Sequence, residues 1–435
     1  MSDVLEAPAT ARAPHRPGGG GGSLNRPPLD DVVESLEKEL EEDYSPPNIK
    51  RHAHPKMHGC VQAVLRVESP EQLEAHDLRH GIFSSAGHEY RAWVRFSNAF
   101  GIQHDMKFES RGMAIKVLGV EGERLLPEEE PFTLETDTQD FVMAVHDAFV
   151  LPTTKGLDYA EFAKAARAGF LPLIKLFLEK KLFRGLIALI KGGLATARNP
   201  LAIRYFTQTA YMFGEKDKVK LSARPVFTRE LRRSLPNVVL FHLRMVAANV
   251  ILFLAEWGKA RRLVEFVGLS GTREGAELFV DRHLGSKHTM RVALSEYLAS
   301  HPAEFEILVQ KQTDRERMPE DDPTVRWKGS PFVKVATLTI PRQVFWPAPG
   351  MPKKIQRAAI DMVDLGENIS YSPWHGLKAH EPLGDINRAR GQIYKELSKY
   401  RHMENGAAIP SSADLRAEYE RLRPIVQDGL MEPQP

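Results

Sequence analysis

Eight short segments with strand character, spread between residues 60 and 340, restrict the fold more than any other feature of the chain. They lie at 60–67, 90–96, 111–118, 132–136, 205–213, 218–224, 305–312 and 333–340. Most alternate apolar and polar residues or are rich in β-branched and aromatic side chains. Gly214-Glu215-Lys216-Asp217, between the fifth and sixth, marks a hairpin. Eight antiparallel strands are enough to close a barrel without edges, its interior filled by side chains. On the residues alone the expectation is an α+β protein of eight strands. Helices are predicted between strands 4 and 5, between 6 and 7, and after strand 8.

With 435 residues, 42% of them hydrophobic, the chain can bury a large core. A formal net charge of +2 points to no nucleic acid and no acidic partner. The single cysteine, Cys60, excludes an internal disulfide framework and a thiolate metal cluster. The start, Met1-Ser2-Asp3-Val4-Leu5-Glu6, lacks the charged opening and apolar run of a secretory signal, so a cytoplasmic location is expected. Residues 1–47 read as a disordered, acidic tail, with glycines at Gly18–Gly22 and an acidic helical piece over Asp30–Asp43 lying on the domain surface. The main domain then fills 48–435, with helical insertions near 155–200 and 226–300.

Tyr159–Ile190 reads as an amphipathic helix carrying Lys175, Lys180, Lys181 and Arg184, with Lys191 just beyond, beside a Leu/Ile/Phe face. Such a helix packs on a core, or touches a membrane surface or an apolar substrate. Asn237–Trp257 is apolar enough to approach a membrane span, but His242, Arg244 and Asn249 favour a buried segment.

Two stretches carry candidate chemistry. Near the N-terminus, His52, His54 and His58 lie close together, but no Cys or carboxylate spacing supports zinc. Near the C-terminus, a helix over 387–401 puts Arg390, Tyr394 and Arg401 on one face and Arg388 away from it. Arg390 and Tyr394, four apart, can meet. A guanidinium held against a phenol stabilises the phenolate. Tyrosinate suits ferric iron and is one of the few protein axial ligands to haem. Taken alone, this stretch is an ordinary surface helix with a basic stripe.

Three segments together resemble the haem catalase superfamily. Arg51-x-x-His54-x-Lys56 is similar to the family's Arg-x-x-His-x-Lys. Arg95-Phe96-Ser97 and Arg111-Gly112-Met113-Ala114-Ile115-Lys116 are similar to its Arg-Phe-Ser and Arg-Gly-Phe-Ala-Val-Lys. Arg390-x-x-x-Tyr394 with Arg401 resembles its proximal helix. The likeness covers roughly 48–401. It is nearest the short, catalase-related haem peroxidase branch, through Gly366-Glu367-Asn368-x-Ser370-x-Ser372-Pro373-Trp374-His375 and Pro382-Leu383-Gly384.

The resemblance implies an eight-stranded antiparallel barrel with haem b between it and the Tyr394 helix. Tyr394 is the implied iron ligand, made anionic by Arg390. Arg51, Arg95 and Arg401 are the implied partners of the propionates, a task suited to guanidinium forks. His54 is the implied general base toward peroxide, its tautomer fixed by Ser97. Phe149 is a candidate apolar wall. The family's distal asparagine has no counterpart: Asp137, Ala144 or Val145 falls there depending on register, and an ionised Asp accepts but does not donate.

These residues imply a peroxidase with weak catalase activity, consuming hydrogen peroxide or an organic hydroperoxide with an organic reductant. The alternative is a haem isomerase or lyase acting on fatty-acid hydroperoxides. A non-enzymatic haem protein is a third reading, disfavoured because His54 and Tyr394 are both in place. The missing Asn argues against fast dismutation. The cationic amphipathic helix favours an apolar hydroperoxide and leaves peripheral membrane contact open.

Overall fold

The structure is a computed structural model that describes residues 29–99, 101–125, 137–150, 161–162, 164–165, 170–194, 199–256 and 272–427. Its centre is one antiparallel sheet of β1 (Met57–Val67), β2 (Glu89–Asn98), β3 (Arg111–Leu118), β4 (Thr138–Ala144), β5 (Tyr205–Phe206), β6 (Tyr211–Phe213), β7 (Asp217–Pro225), β8 (Ala303–Lys311) and β9 (Phe332–Ile340). The order is β5-β4-β3-β2-β1-β9-β8-β7-β6, and β5 also pairs with β7. That extra pairing closes the sheet. β5 and β6 are two pieces of one strand, both laid on β7 and interrupted where Gln208 takes φ +65°. Counted once, they make the closed eight-stranded barrel that the pattern predicts.

One expected strand differs. The segment 132–136 lies outside the described residues, and the strand beside β3 is Thr138–Ala144. Its polar start, Thr138-Gln139-Asp140, hides it from a pattern search. Asp140 is tolerated because Lys116 on β3 directly faces it, 2.9 Å away, with both side chains fully buried.

The alternation of each strand decides what faces inward. The rings of Phe96 on β2, Tyr205 on β5 and Phe305 on β8 meet at centroid distances of 6.2–6.4 Å. These strands are not neighbours, so that face is the barrel interior. Arg95 and Ser97, one position to either side of Phe96, therefore point outward. The register extends this outer face into rows: Ser97–Gly112–Ala144, then Arg95–Ala114–Val142, then Trp93–Lys116–Asp140.

Helices of ten residues or more cover the barrel: α1 (Asp30–Asp43), α2 (Phe170–Glu179), α3 (Phe183–Leu194), α4 (Val238–Glu256), α5 (Arg273–His283), α6 (Thr289–Ser300), α7 (Lys353–Asn368), α8 (Gly384–Glu404) and α9 (Ser412–Val426). α8 contains the whole Arg390–Arg401 stretch. Arg390 and Arg401 are buried and Arg388 is exposed, as the helical spacing requires. The acidic piece at Asp30–Asp43 is an integral element. Val32, Val33, Leu36 and Leu40 of α1 close against Ile393, Leu397 and Tyr400 of α8, with Tyr394 packed at the edge of the cluster.

The inserted segments depart from expectation. Tyr159–Ile190 contains two described helices, α2 and α3, broken at Lys181 with φ +55°. α4, expected to be buried, is buried along one stripe only. Phe241, Met245, Ala248 and Leu252 pack on Met106 and on Ala276 and Val280 of α5. Val239, Leu243, Val246 and Val250 face outward. A helix with two apolar stripes cannot hide both against one neighbouring helix.

Candidate active site

The loop Arg51–Lys56 enters β1 beside the outward row Ser97–Gly112. His54 within it has φ +59°, a left-handed conformation that few non-glycine residues adopt. Three contacts hold it there. Its backbone N–H donates to the Ala99 carbonyl at 2.9 Å, and its carbonyl accepts from Arg95 Nη1 at 3.0 Å. Its Nδ1 lies 3.0 Å from Ser97 Oγ. The ring rests against the backbone of Gly112, where an added Cβ would fall 2.3 Å from Cε1 and 2.4 Å from Nδ1. Burial, then Arg95 and Arg390, pushes its pKa down to about 3. The imidazole is therefore neutral at physiological pH. A hydrogen on Nδ1, toward Ser97, would leave Nε2 as the basic nitrogen.

Arg51, Arg95 and Arg401 surround Glu367, in the last turn of α7. Arg51 Nη1 lies 3.4 Å from Glu367 Oε2, Arg51 Nη2 donates to the Ile369 carbonyl, and Arg401 Nη1 donates to the Glu367 carbonyl at 2.7 Å. Burial opposes ionisation of Glu367, but Arg95, Arg51, Lys50 and Arg401 outweigh it and hold its pKa low. Burial pushes Arg401 down to about 10, and Arg95 adds to the shift. Three guanidiniums against one carboxylate leave a cationic excess. Arg95 Nε and Nη2 are buried and have no hydrogen-bond partner among the described residues. The Tyr371 hydroxyl is buried nearby, within reach of the Cys60 thiol.

On α8, Arg390 Nη2 donates to the Tyr394 hydroxyl at 3.5 Å, and its Cζ lies 5.4 Å from the ring centroid. Arg390 Nη1 is held by Asn387 Oδ1 at 3.2 Å. Trp374 fixes this turn. Its Nε1 donates to the Asn387 carbonyl at 2.6 Å, and its indole lies so close to Gly391 that a Cβ there would come within 2.7 Å of it.

These groups border one cavity. His54, Ser97, Arg51, Arg95, Tyr394 and Arg401 all line it, and Arg390 stands directly behind Tyr394. The three nearby histidines form no cluster. His52 Nε2 is 3.2 Å from Glu39 on α1, and His58 Nε2 is 2.6 Å from Asn98. Phe149 lies elsewhere, against the apolar cluster of Val150, Phe162 and Phe177, with its N–H bonded to the Pro323 carbonyl. It follows β4 after the sheet has ended, so the strand no longer aims it at the cavity.

Asp137 is likewise no distal group, because its carboxylate pairs with Arg416 on α9. Beyond Asp140, which pairs with Lys116, the residues that β4 presents on the outer face are Val142, which lines the cavity, and Ala144, opposite Gly112. Neither carries a hydrogen-bond donor. Gly112, Glu367 and Tyr371 are participants that the sequence did not single out. Gly112 and Glu367 sit within quoted motifs, but their roles depend on contacts across the fold.

The residues around the cavity are of the kinds that would hold a haem. They offer a phenol backed by a guanidinium for the iron, and a cationic excess with unpartnered Arg95 nitrogens for two propionates. The apolar floor of Ala114 and Val142 suits the macrocycle.

No protein-family model and no curated protein sequence matches the chain. Solved structures do. A fungal catalase superposes with a TM-score of 0.55 at 16% identity, over 93% of this chain and 68% of that one. A bacterial catalase gives 0.53 at 14%, over 88% and 62%. Catalase A from Saccharomyces cerevisiae gives 0.54 at 14%, over 92% and 70%. The chain spans roughly two thirds of their lengths, and what it shares with all three, through its closed barrel and surrounding helices, is the catalase fold.

Proposed function

We propose that the chain is a haem-dependent enzyme that consumes peroxide, oxidising an organic donor in preference to releasing oxygen. The observation that carries this is the single cavity in which a neutral His54, the Arg390–Tyr394 pair and the three arginines meet. Tyr394 would hold the iron, and Arg51, Arg95 and Arg401 the propionates. When bound, a ferric haem supplies the redox chemistry for cleaving an O–O bond. The rest falls to side chains. His54 Nε2 takes the proton from one peroxide oxygen and returns it to the departing one. Ser97 keeps the hydrogen on Nδ1, so that Nε2 stays basic. Arg390 Nη2, 3.5 Å from the Tyr394 hydroxyl, would orient that oxygen toward the iron.

The donor preference follows from β4. Oxygen release requires a second peroxide to be bound and oriented, and Val142 and Ala144 offer it no hydrogen bond. Parallel assays at one hydrogen peroxide concentration test this, one following a dye donor and the other an oxygen electrode. Dye oxidation is expected to exceed oxygen release. Vigorous oxygen evolution with negligible dye oxidation would make the protein a small catalase. Conversion of a fatty-acid hydroperoxide without any reductant would make it an isomerase or lyase.

A further inference from the structure

We propose that α3 and α4 are interfacial anchors that dock the protein on an anionic lipid surface. On α3 the inner side is closed tightly: a Cβ on Gly185 would fall 2.0 Å from the Val150 carbonyl oxygen and 2.4 Å from the Phe177 ring. The outer side should then be polar, and it is not. Phe183, Ile187 and Ile190 form an i, i+4, i+7 stripe that is 57, 53 and 41% exposed. Arg184 and Lys191 flank the stripe, and Lys180 and Lys181 stand at the turn before it, all exposed. An apolar stripe edged by long cationic side chains is the pattern of a helix lying in a headgroup layer.

α4 repeats the arrangement independently. The window Val238–Ala255 has mean hydropathy 2.1, yet only 22% of it is buried. The outward stripe Val239, Leu243, Val246, Val250 keeps i, i+4, i+7, i+11 spacing, with Arg244 beside it. The helix is fastened along the protein and does not project from it. Asn249 accepts from the Phe108 N–H at 2.9 Å and donates to the Met106 carbonyl at 2.7 Å. A helix so held can lie in an interface but not cross a bilayer.

Charge selects the occupant. The described residues between 161 and 194 carry six Lys and Arg against two Glu, a net +4 in a chain whose total is +2. A second copy docking the same face would bring these cations against their own kind. Anionic headgroups complement them.

The test is co-sedimentation of the full-length, haem-loaded protein with phosphatidylcholine vesicles, and with vesicles in which roughly a third of the lipid is phosphatidylserine. Binding is expected to the anionic vesicles, to weaken in high salt, and to be slight on the neutral ones. Phe183→Glu with Ile187→Glu, and separately Leu243→Glu with Val246→Glu, should each lower the partition at least about tenfold. Their haem spectrum and melting temperature should not change. Lys180→Glu with Lys181→Glu should erase the preference for anionic lipid. The proposal is overturned if the protein stays in the supernatant with both vesicles, or if the apolar-to-Glu variants sediment like the parent. A lipid-free dimer that the same variants dissolve would equally overturn it, since a second copy would then be the occupant.

Discussion

Replacing Gly112 by Ala puts one methyl group where the His54 imidazole now rests. The added Cβ would come 2.3 Å from Cε1, 2.4 Å from Nδ1 and 3.2 Å from Ser97 Oγ. None of these contacts can persist, and the backbone of His54 cannot retreat as a unit, being held by Ala99 and Arg95. The ring must therefore swing away and lose its bond to Ser97. If His54 is the proton acceptor, Gly112→Ala should cost nearly as much as His54→Ala, roughly 10²–10⁴-fold in peroxide turnover. That is about 2.7–5.4 kcal/mol of transition-state stabilisation. Haem should load normally, because Tyr394 and the arginines are untouched. The assay is initial rate against haem content for Gly112→Ala, His54→Ala and the double variant. The double should be no worse than His54→Ala alone, since the two changes remove the same function. A Gly112→Ala protein that keeps its haem and more than about a third of parental turnover would refute the assignment of His54.

Tyr394→Phe should either fail to retain haem or give a spectrum without phenolate ligation. An unchanged spectrum at full occupancy would move the iron ligand elsewhere. Val142→Asn should raise the ratio of oxygen release to dye oxidation several-fold, whereas Asp137→Asn, whose carboxylate pairs with Arg416, should leave that ratio alone; the reverse pattern would show that the wrong residue has been placed in the cavity. His54 and His58 are held at about 3, and His146, His380 and His402 at about 4, in each case chiefly by burial. The unfolded chain therefore takes up protons first, near pH 6.5. Stability should be level above that pH and fall on acidification toward 4, by about 1.4 kcal/mol per unit for each histidine. Urea unfolding midpoints at pH 7, 6 and 5 check this, and a flat profile would contradict the buried neutral state.

Seven of the eight strand positions were readable because each alternates or is rich in β-branched and aromatic residues. β4 was not, since its polar start becomes tolerable only through Lys116, which lies on another strand. The Arg390–Tyr394 pair was readable because a spacing of four is fixed by helix geometry alone. The clustering of Arg51, Arg95, Arg401 and Glu367 could not be read in that way. It joins four elements whose approach is set by barrel closure. Phe149 was misplaced because an apolar residue beyond the end of a strand has no periodicity to say which way it faces. α1 looked like tail because its acidic surface dominates its composition, while its four core residues need α8 to reveal their purpose.

The clasp between α1 and α8 has a consequence for biosynthesis. Glu41 and Tyr400, which touch across it, are 359 positions apart. On a ribosome adding 5–20 residues per second, the apolar face of α1 would wait roughly 20–70 seconds for its partner to be made. Over that interval Val32, Val33, Leu36 and Leu40 are open to chaperones or to one another. The helix bearing Tyr394 emerges about 340 residues after the loop that carries His54, so the cavity takes shape only once both have been made, and cofactor capture must wait for that helix.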